Sequence, residues 1–396
     1  MKVNLVILIL VLLLFISLGV QAASEAEVLK DIFRKESASL GTLFADSFLE
    51  QVSLTQIEAI VNQYGSALGA VQAAEKIENG YSLQFEKGTA PAQITLNSEG
   101  KIIGLWFGNY SLAEDNLDSI LAELKELPGE LSVSVIKNNQ EKVLSYNEQK
   151  SMAVGSTFKL QVLKRLYEEI EESDKKWSDI VELEAKNRSL PSGILQSWPF
   201  GTPLTLRSLS NLMISQSDNT ATDHLIDFLG RENLEDGLKD INIPFLKTRE
   251  FFMLKFSDDD QLRERYLNSN LSEKRKILSE LSSRELNNIK VGDKPILIEK
   301  LEWYFSTEEL AEMIYELKDA PEIKINPGLV DQKNYYLAGY KGGSEPGVLQ
   351  FTHLLKKSEA ADIYAISVTI NNREQAVDGQ KAAQLTSRLI SAVVGP

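Results

Sequence analysis

The chain contains no cysteine and only two histidines, His224 and His353. The first absence excludes disulfides, thiolate nucleophiles and zinc–sulfur sites. The second leaves little for metal or triad chemistry, because two histidines without a close carboxylate pattern make no metal site. Both histidines read as structural or surface residues. Positive charge is also short: 42 lysines and arginines stand against 57 acids, a net charge of −15. DNA or an acidic membrane surface would be repelled, so no nucleic-acid partner is expected. Internal repeats and low-complexity stretches are lacking, and 43% hydrophobic with 25% charged residues is ordinary globular composition. The 396 residues are enough for two or three domains.

The N-terminus joins one positive charge, Lys2, to an apolar run from Val3 to Val20 and to small residues up to Ala22. This pattern predicts a secretory signal peptide over residues 1–22, cleaved after Ala22, and export to the periplasm or beyond. The run approaches the length of an uncleaved anchor. After cleavage no stable membrane insertion is expected. A lipid-anchored form would need a cysteine.

Residues from about Glu25 to Tyr81 carry apolar positions at three- and four-residue steps and read as helices. Tyr81–Phe85, Ala92–Leu96 and Ile102–Phe107 alternate as strands, with turn residues at 97–100. Together they predict a small α+β domain over residues 23–112, with Tyr81, Phe85, Trp106 and Phe107 in its core and residues 111–116 as the junction. A second domain, 113–396, opens with a helix from Leu117 to Leu127, then a hairpin of Leu131–Ile136 and Lys142–Tyr146 turning at Asn138 and Asn139. Leu206–Phe228 is helical in period, and the charge-rich 257–300 reads as surface helices. Strands at Gly347–Thr352 and Ile363–Ile370 and a helix from Gln380 to Val394 end the chain. Strands at both ends with helices between imply one sheet assembled from distant segments, with a helical region beside it.

The phrase AVGSTFKLQVL places Ser156 at the head of an apolar helical run with Lys159 three residues later, on the same helix face. A lysine there can take the serine proton once burial or a neighbouring positive charge lowers its pKa. A serine at a helix N-terminus also aims a backbone N–H at a developing oxyanion. S-x-x-K alone is weak: Ser173 and Lys176 repeat it by chance among solvated charges. Further on, Ser217, Asp218 and Asn219 interrupt two apolar stretches. They are either a helix cap or the polar lining of a site, with Ser217 as proton relay and Asn219 as ligand to lysine and substrate. YKGGSEPGV then supplies Lys341, Gly342, Gly343 and Ser344 at a strand end, where glycines permit close approach to the strand edge. Lys341 can offer charge to a substrate carboxylate.

The order S-x-x-K, S-D-N, K-x-G resembles the class A β-lactamase and penicillin-binding-protein superfamily of serine hydrolases, over about Asp115 to Val394. STFKLQVL and LTLRSLSNLMISQSDNTATDHLIDFLG also look like class A segments. The chain is more specifically similar to a two-domain branch that includes an esterase-like protein encoded with clavulanic acid biosynthesis. In that branch a small isomerase-like, cystatin-like or cone-like α+β domain precedes the β-lactamase-like one, and SLPSG at 189–193 is shared. The resemblance implies an antiparallel sheet with flanking helices and a helical subdomain. It further implies that Ser156 is acylated, Lys159 is its base, Ser217 moves protons and Asn219 orients substrate. Lys341 would bind an anionic group, and the N–H groups of Ser156 and Ser344 would form the oxyanion hole. No cofactor is implied.

Two departures matter. Gly342 stands where many relatives have threonine, removing a hydroxyl used on carboxylates. The E-x-x-L-N loop that activates the releasing water is replaced by TREFFMLKF, in which Glu250 is the nearest carboxylate. Acylation machinery is complete and deacylation machinery is not. The expected function is an exported Ser-Lys hydrolase acting on a small ester, amide or β-lactam-like substrate. A penicillin-binding-like peptidase or slow β-lactamase stands second, and a non-catalytic binder of β-lactams or peptidoglycan fragments third. Substrate, oligomeric state and the role of the first domain stay open.

Overall fold

The computed structural model describes residues 24–286 and 289–395. The segment expected as a signal peptide, residues 1–22, lies outside them. The described chain falls into two compact units divided between Glu114 and Asp115.

In the first unit, α1 (Glu25–Arg34) is capped by Ser24, whose side chain accepts from Glu27 N. Two single turns, α2 (Ser37–Leu40) and α3 (Asp46–Leu49), lead to α4 (Leu54–Leu68), which starts on a Ser53–Gln56 capping box. An antiparallel sheet follows: β1 (Val71–Ile77), β2 (Gly80–Phe85), β3 (Gly88–Leu96) and β4 (Ile102–Phe107) are neighbours in order. Here the sequence expectation fails at Val71–Ile77, which is strand rather than helix. Its apolar positions fit either period, and pairing with β2 decides. The expected junction also shifts, because β5 (Ser111–Leu112) pairs with β3 and belongs to this unit. Tyr81 and Phe85 are core residues, whereas Trp106 is 47% exposed. Its neighbour Phe107 takes the other face of β4, with ring centroids 5.3 Å from Phe33 of α1 and 5.5 Å from Tyr64 of α4.

The second unit runs α5 (Leu117–Lys125), β6 (Glu130–Lys137), β7 (Glu141–Tyr146), β8 (Met152–Ala153), a 3-10 turn at Gly155–Phe158 and α6 (Lys159–Glu172). Asn138 and Asn139 turn the hairpin at φ 51° and 56°. A small ribbon of β9 (Ile180–Glu182) and β10 (Pro203–Thr205) precedes α7 (Leu206–Ser215) and α8 (Asn219–Leu229). The region expected as surface helices holds α11 (Asp260–Asn268) and α12 (Leu271–Leu281), after α9 (Arg231–Glu235) and α10 (Thr248–Phe256). Leu262, Tyr266, Ile277, Leu278 and Leu281 bury one face of α11 and α12, so this region also contributes core. β11 (Tyr304–Phe305), α13 (Thr307–Glu316), β12 (Leu337–Glu345), β13 (Val348–Lys356), β14 (Ile363–Asn371) and α14 (Gly379–Val394) complete it.

The main sheet is antiparallel in the order β12-β13-β14-β6-β7, so early and late strands of the second unit meet where Ile366 faces Val135. The mixed α+β architecture expected from the sequence is present. One face of the sheet packs Val133, Val135 and Val368 against Ile120 and Leu124 of α5 and Leu385 and Leu389 of α14. The opposite face buries Ile136, Leu354 and Ala365 with Phe158, Leu163, Leu209 and Leu225 of the helical region. Strand alternation produces both faces from the same strands. α14 is fixed to α5 by Arg388, which is 2% exposed and forks onto both oxygens of Asp115 at 3.0 Å and onto Glu123 at 2.6 and 2.9 Å. Arg388→Ala is expected to lower unfolding free energy by about 3 kcal/mol, since it removes a buried guanidinium and its charge-assisted bonds to two acids. Denaturant titration with fluorescence detection checks it.

Candidate active site

The long helical period expected over Leu206–Phe228 is broken into α7 and α8, and the break builds the site. α7 ends at Ser215; Ser217 then takes a left-handed backbone, φ 54°, and Asp218 caps α8 through Ala221 N at 2.8 Å. Hydrophobic spacing is continuous across the interruption, so only the polar run Ser217–Asn219 signals it. Asp218 is fully buried and also accepts from Ile194 N and Leu195 N, at 2.7 and 2.9 Å. Asn219 donates to Leu190 O at 2.7 Å. The loop 190–195 is thereby tied to the start of α8.

Ser156 lies in the 3-10 turn Gly155–Phe158, one step ahead of α6. Three contacts hold that turn. Phe158 stacks on Trp303 with centroids 3.9 Å apart, Val154 N donates to Trp303 O at 3.0 Å, and Thr157 Oγ1 donates to Gln350 Oε1 at 2.6 Å. The edge strand β12 lies against it so closely that a β-carbon on Gly343 would fall 2.0 Å from Val154 O and 2.4 Å from Ser156 N. The Ser344 N is likewise 3.1 Å from the place a β-carbon of Gly155 takes. Glycine at 343 is therefore required, and Ser344 N is brought up to the turn that carries Ser156.

Lys159 is fully buried. Its Nζ donates to Ser217 O at 2.6 Å, Ser217 Oγ at 3.0 Å and Asn219 Oδ1 at 2.7 Å. Lys341, on the face of β12 shared with Gly343, reaches the same hydroxyl at 3.2 Å and the Gly342 carbonyl at 2.6 Å. Burial removes both ammonium groups from water. It holds Lys159 well below the ordinary lysine range, with the Lys341 charge acting in the same direction, and brings Lys341 down to about 7. Ser217 Oγ thus bridges two lysines whose proton affinity burial lowers, Lys341 to a pKa of about 7. Lys159, Ser217, Asn219 and Lys341 converge, and Ser156, Gly342, Gly343 and Ser344 border them. Ser173 and Lys176 lie apart, at the exposed end of α6.

Both histidines are buried in structural roles: His224 Nε2 accepts from Glu184 N, and His353 Nε2 from Leu329 N. Glu250 is also committed. It binds Arg231 at 2.5 Å and Lys247 N at 2.8 Å, while the adjacent Phe251 packs 4.5 Å from Trp303. Sequence reading missed a buried charge cluster: Lys255 Nζ binds Glu302 at 2.5 Å and also Glu345, which shares the β12 face of Lys341 and Gly343. One lysine cannot neutralise two buried carboxylates, and Glu345 is pushed well above the usual carboxylate range by burial and by Glu302. The lone lysine in the apolar run FFMLKF was the available signal. No group of acids and histidines able to hold a metal occurs among the described residues.

Residues 113–293 match the family model Beta-lactamase2, described as the beta-lactamase enzyme family. Among solved structures, the chain is similar to a beta-lactamase from Sphaerobacter thermophilus, at 20% identity and TM-score 0.48, covering 69% of this chain and 95% of that one. It is similar also to PBP-A, at 16% identity and TM-score 0.46 over 69% and 93% of the two chains. A beta-lactamase from Francisella tularensis follows at 14% and 0.47 over 69% and 96%. No curated protein matches.

Lys341 gives up its proton as pH rises through about 7. An anion held by it binds while the ammonium is charged, so carboxylate affinity is expected to fall above pH 7, by up to about tenfold per pH unit. Calorimetry across pH 6–9 on the parent protein and Lys341→Met checks this, with the pH dependence lost in the variant.

Proposed function

We propose that this protein is an exported serine hydrolase that forms an acyl-enzyme on Ser156 from a small ester, amide or β-lactam-like substrate. The observation that carries the reading is the convergence of two buried lysines on Ser217 Oγ beside the Ser156 turn. Lys159, held neutral, takes the Ser156 proton as its oxygen attacks the acyl carbon. The tetrahedral oxyanion is met by the N–H groups of Ser156 and Ser344, which a fixed backbone supplies without reorganisation. Ser217 passes a proton to the departing group and regains one from a lysine ammonium. Asn219 keeps Lys159 aimed.

Release of the acyl group needs an activated water. Glu250 is bound to Arg231 and Phe251 is packed into the core, so the carboxylate nearest the expected position is committed elsewhere. This favours acylation faster than deacylation, and within β-lactams it favours slow turnover or retention as in a penicillin-binding protein. An esterase acting on activated small acyl groups is the first reading.

Mixing with p-nitrophenyl acetate is expected to give a burst of about one equivalent followed by slow turnover, with the acyl mass on Ser156 in intact-mass spectra. In Ser156→Ala both disappear, a loss of at least about a thousandfold. Burst and adduct that persist in Ser156→Ala would sink the reading.

A further inference from the structure

Thr157 and Gln350 are both fully buried, although each carries polar atoms. A hydroxyl and an amide in a core that also holds Phe158 and Leu354 are unfavourable unless each finds a partner. They find each other: Thr157 Oγ1 donates to Gln350 Oε1 at 2.6 Å, across 193 residues of sequence. An apolar pair of the same shape would hold the core together about as well, so the polar pair points to a task that packing alone does not perform. We infer that Gln350 is a positioning residue for the nucleophile, acting on Ser156 through Thr157.

The geometry on both sides of the bond supports this assignment. On the sheet side the amide is fixed from behind. Gln350 Nε2 donates to Thr352 Oγ1 at 2.6 Å and to Ser367 Oγ at 2.9 Å, and those two hydroxyls are 3.0 Å apart. With Nε2 committed to β13 and β14, Oε1 is the end of the amide left for Thr157. β13 lies between β12 and β14, so the anchor is an interior strand rather than the free edge. On the turn side, Gln350 stands directly opposite Gly343 in the ladder, and opposite residues share a sheet face. A β-carbon on Gly343 would fall 2.4 Å from Ser156 N and 2.9 Å from Thr157 N. The absent side chain lets the turn meet the sheet, and the neighbouring strand supplies the bond that holds it there. The other two contacts of the turn, the Phe158 ring stack and the Val154 N bond, both go to Trp303 and lie two residues to either side of Ser156. Thr157 is joined to Ser156 by a planar peptide, so holding its side chain restricts the backbone rotation that aims Ser156 Oγ. A displacement of about 1 Å at a reacting atom costs up to about a hundredfold in rate.

The inference rests on the reading of Ser156 as an acylated nucleophile. Stopped-flow mixing with p-nitrophenyl acetate at a series of concentrations gives the burst amplitude, which counts folded sites, the limiting burst rate constant, which reports acylation, and the half-saturating concentration, which reports binding. Thr157→Val removes the donor and keeps the shape; Gln350→Met removes the amide and keeps the length. Each is expected to lower the limiting rate constant about tenfold or more, with half-saturation within about twofold of the parent. Thr157→Ser, which keeps the hydroxyl, is expected to retain the parent rate constant. The double variant is expected to be no slower than the slower single one, because both changes break the same bond. A limiting rate constant that both single variants leave unchanged, whatever their amplitude or thermal stability, confines the bond to folding and overturns the inference. Losses that multiply in the double variant overturn it as well, since the two residues then act separately. Failure of the acyl-enzyme reading looks different: the parent itself shows no burst that depends on Ser156.

Discussion

Two buried ammonium groups facing one hydroxyl set the terms for the rest of this site. Lys159 and Lys341 both direct Nζ at Ser217 Oγ from within the protein, where two like charges repel with little screening. Keeping Lys341 charged there costs on the order of 5 kcal/mol relative to water, given a pKa near 7. Burial and the neighbouring Lys341 charge both lower the proton affinity of Lys159, the direction that a general base requires. Every nearby constraint serves that arrangement. Ser217 needs its left-handed backbone to offer both its carbonyl and its hydroxyl to Lys159, Asp218 restarts the helix so that Asn219 faces inward, and Gly343 lets β12 reach the Ser156 turn.

The same packing explains what the site lacks. The aromatic layer of Phe158, Trp303 and Phe251 clamps the nucleophile turn from beneath. Phe251 enters that layer from α10, next to Glu250, which is held by Arg231. Behind it, Lys255 joins α10 to Glu302 and to Glu345 at the end of β12, so the strand that supplies Ser344 N is anchored by a buried ionic network. The packing that fixes the Ser156 turn and the end of β12 is the same packing that holds α10 in place.

Much of this was legible in the sequence because chemistry there is local. Ser156 and Lys159 are one helical turn apart, Ser217–Asn219 break a continuous apolar pattern, and the glycines after Lys341 announce close approach. The sheet that unites residues 130–146 with 337–371 followed from alternation at both ends of the chain. What escaped depends on tertiary partners. Val71–Ile77 fits helix and strand periods alike and becomes strand by pairing with β2. Trp106 looked like core because aromatic residues usually are, yet it lies on the outer face of β4. Ser111 and Leu112 appeared to be a linker until β3 paired with them. The Lys255 cluster and the bond from Thr157 to Gln350 join residues far apart in sequence, and no spacing rule reports either.

The most direct measurement of the central claim is an NMR titration of lysine Nζ in protein labelled at lysine with nitrogen-15, with Lys159 and Lys341 assigned through Lys159→Arg and Lys341→Arg. The account predicts that Lys341 titrates near pH 7 and that Lys159 titrates well below the ordinary lysine range. Both groups titrating close to the ordinary 10.5 would contradict it, because a charged Lys159 could not take the proton from Ser156.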